Sequence, residues 1–170
     1  SILINEGFEN SGALPSDWTI STTGSNNWSA LTAVCSGNTP YDGSYVVGTG
    51  NGTSSRSEEM YIITPAMDLS NAVSATLHFY YCNKNWSSDT DPFGVYYRIG
   101  TSGSWNQLLY TSDAHTGWTE QTINLTGLAA NYQIGFYRKD NYGYGAGIDN
   151  VKVTALVSPT YSSSSTGTSG

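Results

Sequence analysis

Basic side chains are scarce in this sequence: six Lys and Arg stand against thirteen Asp and Glu, a formal charge of −7. So few cations cannot neutralise a run of phosphates, which argues against a nucleic-acid partner. The same deficit argues against docking on anionic membrane surfaces. Charge of either sign is low, at 11% of residues. Ser, Thr, Asn, Gly and Tyr must therefore make up the surface, which is neutral and rich in hydrogen-bonding groups. No apolar run reaches the roughly 18 residues of a membrane-spanning helix, and no segment carries a convincing helical period. Histidine is limited to His78, within a strand-like run, and His115, in a loop-like one. Neither accompanies a nucleophile motif such as GxSxG. Glu58 and Glu59 are adjacent, so in a strand they face opposite sides and cannot act jointly. The glycines form no phosphate-gripping GxxxxGK[ST] loop. An enzyme is not expected. There are only two cysteines, Cys35 and Cys82, in no metal-type spacing. A disulfide and a pair of free buried thiols both remain open.

What is abundant is aromatic: five Trp and thirteen Tyr in 170 residues. Such residues suit half-exposed positions as well as cores. A chain of this length can bury one substantial core. Short alternating runs rich in β-branched and aromatic residues recur at 44–47, 59–63, 76–82, 93–99, 107–110, 119–125, 132–136 and 147–153. Leu77, Phe79 and Tyr81 share one face, as do Phe93, Val95, Tyr97 and Ile99, and as do Tyr132, Ile134 and Phe136. The alternation slips near Asp149, which predicts a bulge or a strand start there. Turn signals such as Tyr41-Asp-Gly43 and Asn141-Tyr-Gly143 separate the runs. Eight or nine strands with no crossover helices predict an all-β, two-sheet antiparallel sandwich of jelly-roll type over residues 1–157. Residues 158–170 are a Ser/Thr/Gly tract that reads as a flexible linker. A strand-like start without a leader predicts a chain that begins after processing or inside a larger protein.

The order of several elements resembles one known pattern. Phe8-Glu-Asn10 is followed by Leu14-Pro15 and Trp18, then Tyr41-Asp-Gly-Ser-Tyr45 and Ile62-Ile-Thr-Pro-Ala66. Leu77-His-Phe-Tyr-Tyr81, Trp105, Trp118, Tyr132-Gln-Ile-Gly-Phe136 and Gly143-Tyr-Gly145 follow, closing on Ile148-Asp-Asn-Val151. From about residue 3 to 156 the chain resembles the bacterial cleaved-adhesin domains of gingipain haemagglutinin regions and the wider MAM-like jelly rolls. The opening Phe-Glu and closing Asp-Asn-Val also look like calcium-containing carbohydrate-binding jelly rolls. The resemblance implies a secreted or cell-surface bacterial module for adhesion or carbohydrate attachment, beside a hydrolase or protease.

It also implies a structural calcium at the positions of Glu9 and Asp149. In a jelly roll the first and last strands are neighbours, so these carboxylates would meet. Calcium takes carboxylate and carbonyl oxygens, and two close carboxylates repel without a cation or proton between them. Asp42 is the third candidate ligand. Asp89-Thr-Asp91 has a D-x-D spacing but no EF-hand glycine or distal Glu, so it reads as a solvated loop. For a glycan, the aromatics no core needs are the candidates. These are Trp86 in a polar loop, Tyr142 and Tyr144 in a Gly-rich loop, and the outward Tyr80, His78, Tyr96 and Arg98. If the two strands carrying the last four are adjacent, they form one platform. Trp18, Trp105 and Trp118 match framework positions and read as packing residues. The leading expectation is a monomeric, non-catalytic carbohydrate-binding module. The rivals are an adhesin module for host protein and a spacer domain.

Overall fold

A computed structural model describes residues 1–50 and 57–159. The tract read as a linker lies outside the described residues from 160 onward. Eleven strands and no helix are found among the described residues. They are β1 (Ile2–Glu6), β2 (Thr19–Thr22), β3 (Trp28–Leu31), β4 (Val46–Thr49), β5 (Glu59–Ile63), β6 (Ala72–Asn83), β7 (Phe93–Ile99), β8 (Asn106–Thr111), β9 (His115–Asn124), β10 (Tyr132–Lys139) and β11 (Gly147–Val157). One sheet runs β3-β4-β11-β6-β9, with β1 also paired to β11. The other runs β2-β5-β10-β7-β8. Every pairing is antiparallel. The architecture is the expected two-sheet antiparallel sandwich of jelly-roll type.

The alternation in the sequence is what splits each strand into two faces. In β6, Leu77, Phe79 and Tyr81 point inward; in β7, Phe93 and Val95; in β10, Tyr132, Ile134 and Phe136, all buried. They meet in one core between the sheets. Phe79 packs edge-on to Phe136 at 5.1 Å between centroids, and Tyr81 stacks on Phe93 at 4.5 Å. Full burial of each such ring contributes roughly 1.5–3 kcal/mol, and the ring geometry adds to it. Trp18 sits in this core as its framework position implied.

Two short strands were not among the expected runs. β2 and β3 have four residues each, at sheet edges. Four residues give too little alternation to signal a strand. His115 opens β9 rather than lying in a loop, and its ring is within 2.9 Å of Asn83 Oδ1. Cys35, in the β3–β4 loop, meets Cys82 of β6; both are buried thiols with sulfurs 2.6 Å apart.

Candidate functional site

The first and last strands bring two carboxylates, Glu9 and Asp149, to the 42–45 turn. β1 pairs with β11, Glu6 opposite Val151. Just after β1, Phe8 adopts a left-handed backbone (φ 61°) and donates its N–H to Glu6 Oε2 at 2.8 Å. The chain thereby swings Glu9 onto the 42–45 turn, where its carboxylate accepts the N–H groups of Ser44 (2.5 Å) and Tyr45 (2.7 Å). Gly43 (φ 71°) lies against this carboxylate, where a Cβ would collide with it. Asp149 sits at the expected irregularity: the β11–β6 register shifts between Asp149 and Lys152, and Asn150 is left-handed (φ 47°). Asp149 is fully buried and accepts the N–H groups of Asp42 (3.2 Å) and Asn150 (2.8 Å). Burial, aided by the charge of Glu9, pushes its carboxyl up to about 6. No ion pair among the described residues includes Glu9 or Asp149.

A buried carboxylate beside a second one, with no protein cation, fits a hard divalent ion in charge and donor type. Of the third candidate, Asp42, the backbone N–H donates to Asp149 at 3.2 Å. No three His, Cys, Asp or Glu side chains converge as metal ligands among the described residues. The turn N–H groups already take up much of the carboxylates' accepting capacity, so further oxygens would have to come from backbone carbonyls or solvent.

At one end of the sandwich the 84–91 and 140–146 loops are fastened together. Trp86 is 50% exposed at a turn closed by reciprocal hydrogen bonds with Asp89, each 2.9 Å. Behind it Asp91 is fully buried, not solvated as the D-x-D spacing suggested. It accepts the N–H groups of Asn141 (2.6 Å), Gly143 (2.9 Å) and Gly145 (3.0 Å), and the Arg138 guanidinium (Nε 3.1 Å, Nη2 2.6 Å). Tyr144 donates its N–H to the Lys84 carbonyl, and the Lys84 ammonium lies 5.5 Å from the Tyr144 ring centroid. The loop of Trp86 and the loop of Tyr142 and Tyr144 thus share one end of the molecule.

The expected platform of Tyr80, His78, Tyr96 and Arg98 does not form. All four face outward, but β6 and β7 belong to different sheets. His78 and Tyr80 lie on one outer face, Tyr96 and Arg98 on the opposite one. Membership of a sheet is a non-local property that two similar alternating runs do not carry.

Sequence reasoning passed over what surrounds Tyr96 and Arg98. β5 turns Tyr61 outward and β10 turns Gln133, Gly135 and Tyr137 outward, opposite to their core faces. Trp105 folds back from the β7–β8 connection over Gly135, where a Cβ would stand 2.7 Å from its ring. Trp105 stacks on Tyr61 (4.7 Å, 8°) and Arg98 caps it at 4.5 Å. Tyr96 packs edge-on against Tyr61 and Tyr137 at 6.0 and 5.5 Å. Arg98 Nε donates to Gln133 Oε1 at 3.0 Å, and the Tyr137 hydroxyl to Glu59 Oε1 at 2.9 Å. Burial pushes the Tyr61 phenol up to about 12, so it is a neutral donor at ordinary pH. Trp105 is therefore no core residue. Trp118 also lies outside the main core, against the Val34–Cys35 cluster, and donates its indole N–H to Thr39 O at 2.8 Å. The outward parity of Tyr61 and Tyr137 was a signal available in the sequence; the fold-back of Trp105 was not.

Two open antiparallel sheets packed face to face, with aromatic and amide groups on their outer faces, define a β-sandwich module. The chain belongs to the Cleaved Adhesin Domain family, whose model matches residues 1–140. Among solved structures it is similar to the K3 cleaved adhesin domain of Lys-gingipain from Porphyromonas gingivalis W83. That match is 21% identical with a TM-score of 0.68 and covers 91% of this chain and 99% of that one. The K1 domain of the same protein is 22% identical, TM-score 0.66, covering 90% and 98%. The CBM22-1 xylan-binding domain of Paenibacillus barcinonensis Xyn10C is 12% identical, TM-score 0.56, covering 94% and 97%. At such identities the shared property is the fold. No curated protein matches the chain.

Proposed function

We propose that this domain is a non-catalytic carbohydrate-binding module of a secreted or surface bacterial protein, stabilised by calcium at Glu9 and Asp149. The observation that carries the sugar reading is the outer face of β5, β10 and β7. There Tyr61, Tyr96 and Trp105 present half-exposed rings among the polar ends of Arg98 and Glu59. A pyranose offers C–H groups to such rings and hydroxyls to such ends. Trp86, Tyr142 and Tyr144 add a second aromatic cluster at the loop end. The likeness to a xylan-binding domain favours the same reading, and membership of an adhesin family favours the rival one, attachment to host protein. Affinity electrophoresis against neutral polysaccharides tests the choice. Retardation by one of them, weakened by Tyr61→Ala, supports the module reading. No retardation by any, together with capture of an extracellular matrix protein, overturns it in favour of the adhesin.

A further inference from the structure

The outer face of the other sheet carries a groove that none of these contacts uses. β1, β11 and β6 align Asn5, Lys152 and His78 in one cross-strand row, Asn5 opposite Lys152 and Lys152 opposite His78. Neighbouring strands are about 4.8 Å apart, so the row spreads three polar side chains over roughly 10 Å. Beside it Tyr41 stacks on Tyr80, with centroids 3.7 Å apart and planes at 14°. Tyr80 lies on the sheet; Tyr41 is 46% exposed and keeps one ring face outward. Asp42 follows at the rim, and together these residues line an open groove of about 530 Å³. Glu120 holds the His78 ring at 2.8 Å and the Tyr80 hydroxyl at 2.9 Å. The Lys152 ammonium, the Asn5 amide and the Asp42 carboxylate have no hydrogen bond or ion pair to any described residue.

An outward ring face beside an uncommitted acceptor, ammonium and amide is a complementary set for one sugar unit. Its C–H face covers Tyr41, its hydroxyls donate to Asp42 and accept from Lys152 and Asn5. Lys152 and Asp42 cancel in charge, and the net −7 of the chain opposes polyanions, so the unit is neutral. We propose that this groove is a second site for a neutral sugar unit of a polysaccharide, so that the module contacts glycan on both faces. The proposal rests on the sugar-binding reading of the domain. Its test is saturation-transfer NMR with a short neutral oligosaccharide of whichever polysaccharide retards the protein. The Tyr61→Ala/Trp105→Ala variant, with the opposite face disabled, still shows transfer, and adding Tyr41→Ala or Lys152→Met lowers affinity about tenfold. Circular dichroism verifies the fold of each variant. If Tyr61→Ala/Trp105→Ala abolishes transfer while Tyr41→Ala and Lys152→Met bind like the wild type, the groove is no sugar site and the module reading stands. If the wild type binds no neutral polysaccharide, both fall together.

The cysteine pair carries a separate inference. Cys35, Ser36 and Gly37 are three successive left-handed residues, with φ of 52°, 57° and 111°. They hold Cys35 against Cys82 of a different element, in a buried contact with sulfurs 2.6 Å apart. We infer that these thiols become a disulfide tying the β3–β4 loop to β6 when the protein meets a disulfide-bearing oxidant. The two thiols release two protons and two electrons, the S–S bond forms, and the oxidant's own disulfide is reduced to two thiols. Protein equilibrated with oxidised glutathione, then denatured and treated with iodoacetamide, takes up no label until it is reduced, and then takes up two. Two labels without reduction overturn the inference.

Discussion

At the scale of single residues, Asp149 is a carboxyl whose charge the fold opposes by burial. Its folded pKa, at about 6, lies above the ordinary 3.8. Below about pH 4 it is protonated in folded and unfolded chains alike and costs nothing. Above pH 6 the folded chain must keep buried a charge that the unfolded chain holds in water. Calcium-free protein therefore loses stability as pH rises from about 4 to about 6, on the order of 3 kcal/mol, and does not regain it from this group at higher pH. The proposed calcium between Glu9 and Asp149 would offset that cost, and at a hundredfold excess over its Kd it would stabilise the native state by about 2.7 kcal/mol. Melting temperatures with chelator and with calcium, measured from pH 4 to 8, check both statements. Asp149→Asn abolishes both the calcium response and the fall between pH 4 and 6. An unchanged melting temperature on chelation at pH 7 would remove calcium from the site. The β1–β11 pairing that brings Glu9 and Asp149 to one turn was legible in the sequence, because first and last strands are neighbours in a jelly roll. That Asp42 offers its N–H was not, since turn geometry decides which of a residue's polar groups faces inward.

At the scale of elements, β7 was legible to the residue because its alternation is strict. β6 was legible only from 76 to 82, and β11 from its first residue to 153; the missed ends extend where one face is solvated. Which sheet each strand joins was not legible, and that is why the four-residue platform failed. The contacts that organise the outer surfaces lie between elements. Asp91 links the end of the β6–β7 loop to three backbone N–H groups, of Asn141, Gly143 and Gly145, in the β10–β11 loop, with Arg138 as its counter-charge. Asp91→Ala leaves the Arg138 charge buried beside Asp140 alone and frees three backbone donors. It should cost about 3–5 kcal/mol in denaturant unfolding, with raised hydrogen exchange across 84–91 and 140–146. Global destabilisation without local loosening would show that Asp91 does not fasten the loops. Gly135 plays the complementary part on the aromatic face. Gly135→Val drives a side chain into Trp105 and Tyr61, so it displaces the indole from its stack. Trp fluorescence then shifts, and glycan retardation falls to the level of Tyr61→Ala, while far-UV dichroism stays native.

At the scale of the whole molecule, the pairing is overwhelmingly non-local. Among the described residues, only β3 with β4 and β7 with β8 join consecutive strands. Such topologies fold in milliseconds to seconds rather than microseconds, since loops must close before contacts form. β1 is paired on one edge only, to β11, and the Ser1 amino group donates to Ala155 O at 2.9 Å. It nevertheless covers the length of β11 that β4 does not reach, because β4 pairs only with Gly147 and Ile148. Removing residues 1–6 would bare the β11 edge from 151 to 154, an open row of N–H and C=O groups that templates pairing with another chain. It would also detach Glu9 from the strand that aims it at the 42–45 turn. The truncated chain should therefore elute from a sizing column as a dimer or larger, melt lower than the full chain, and respond less to calcium. A truncated chain that stays monomeric and keeps its calcium response would mean that the 42–45 turn, and not β1, sets the position of Glu9.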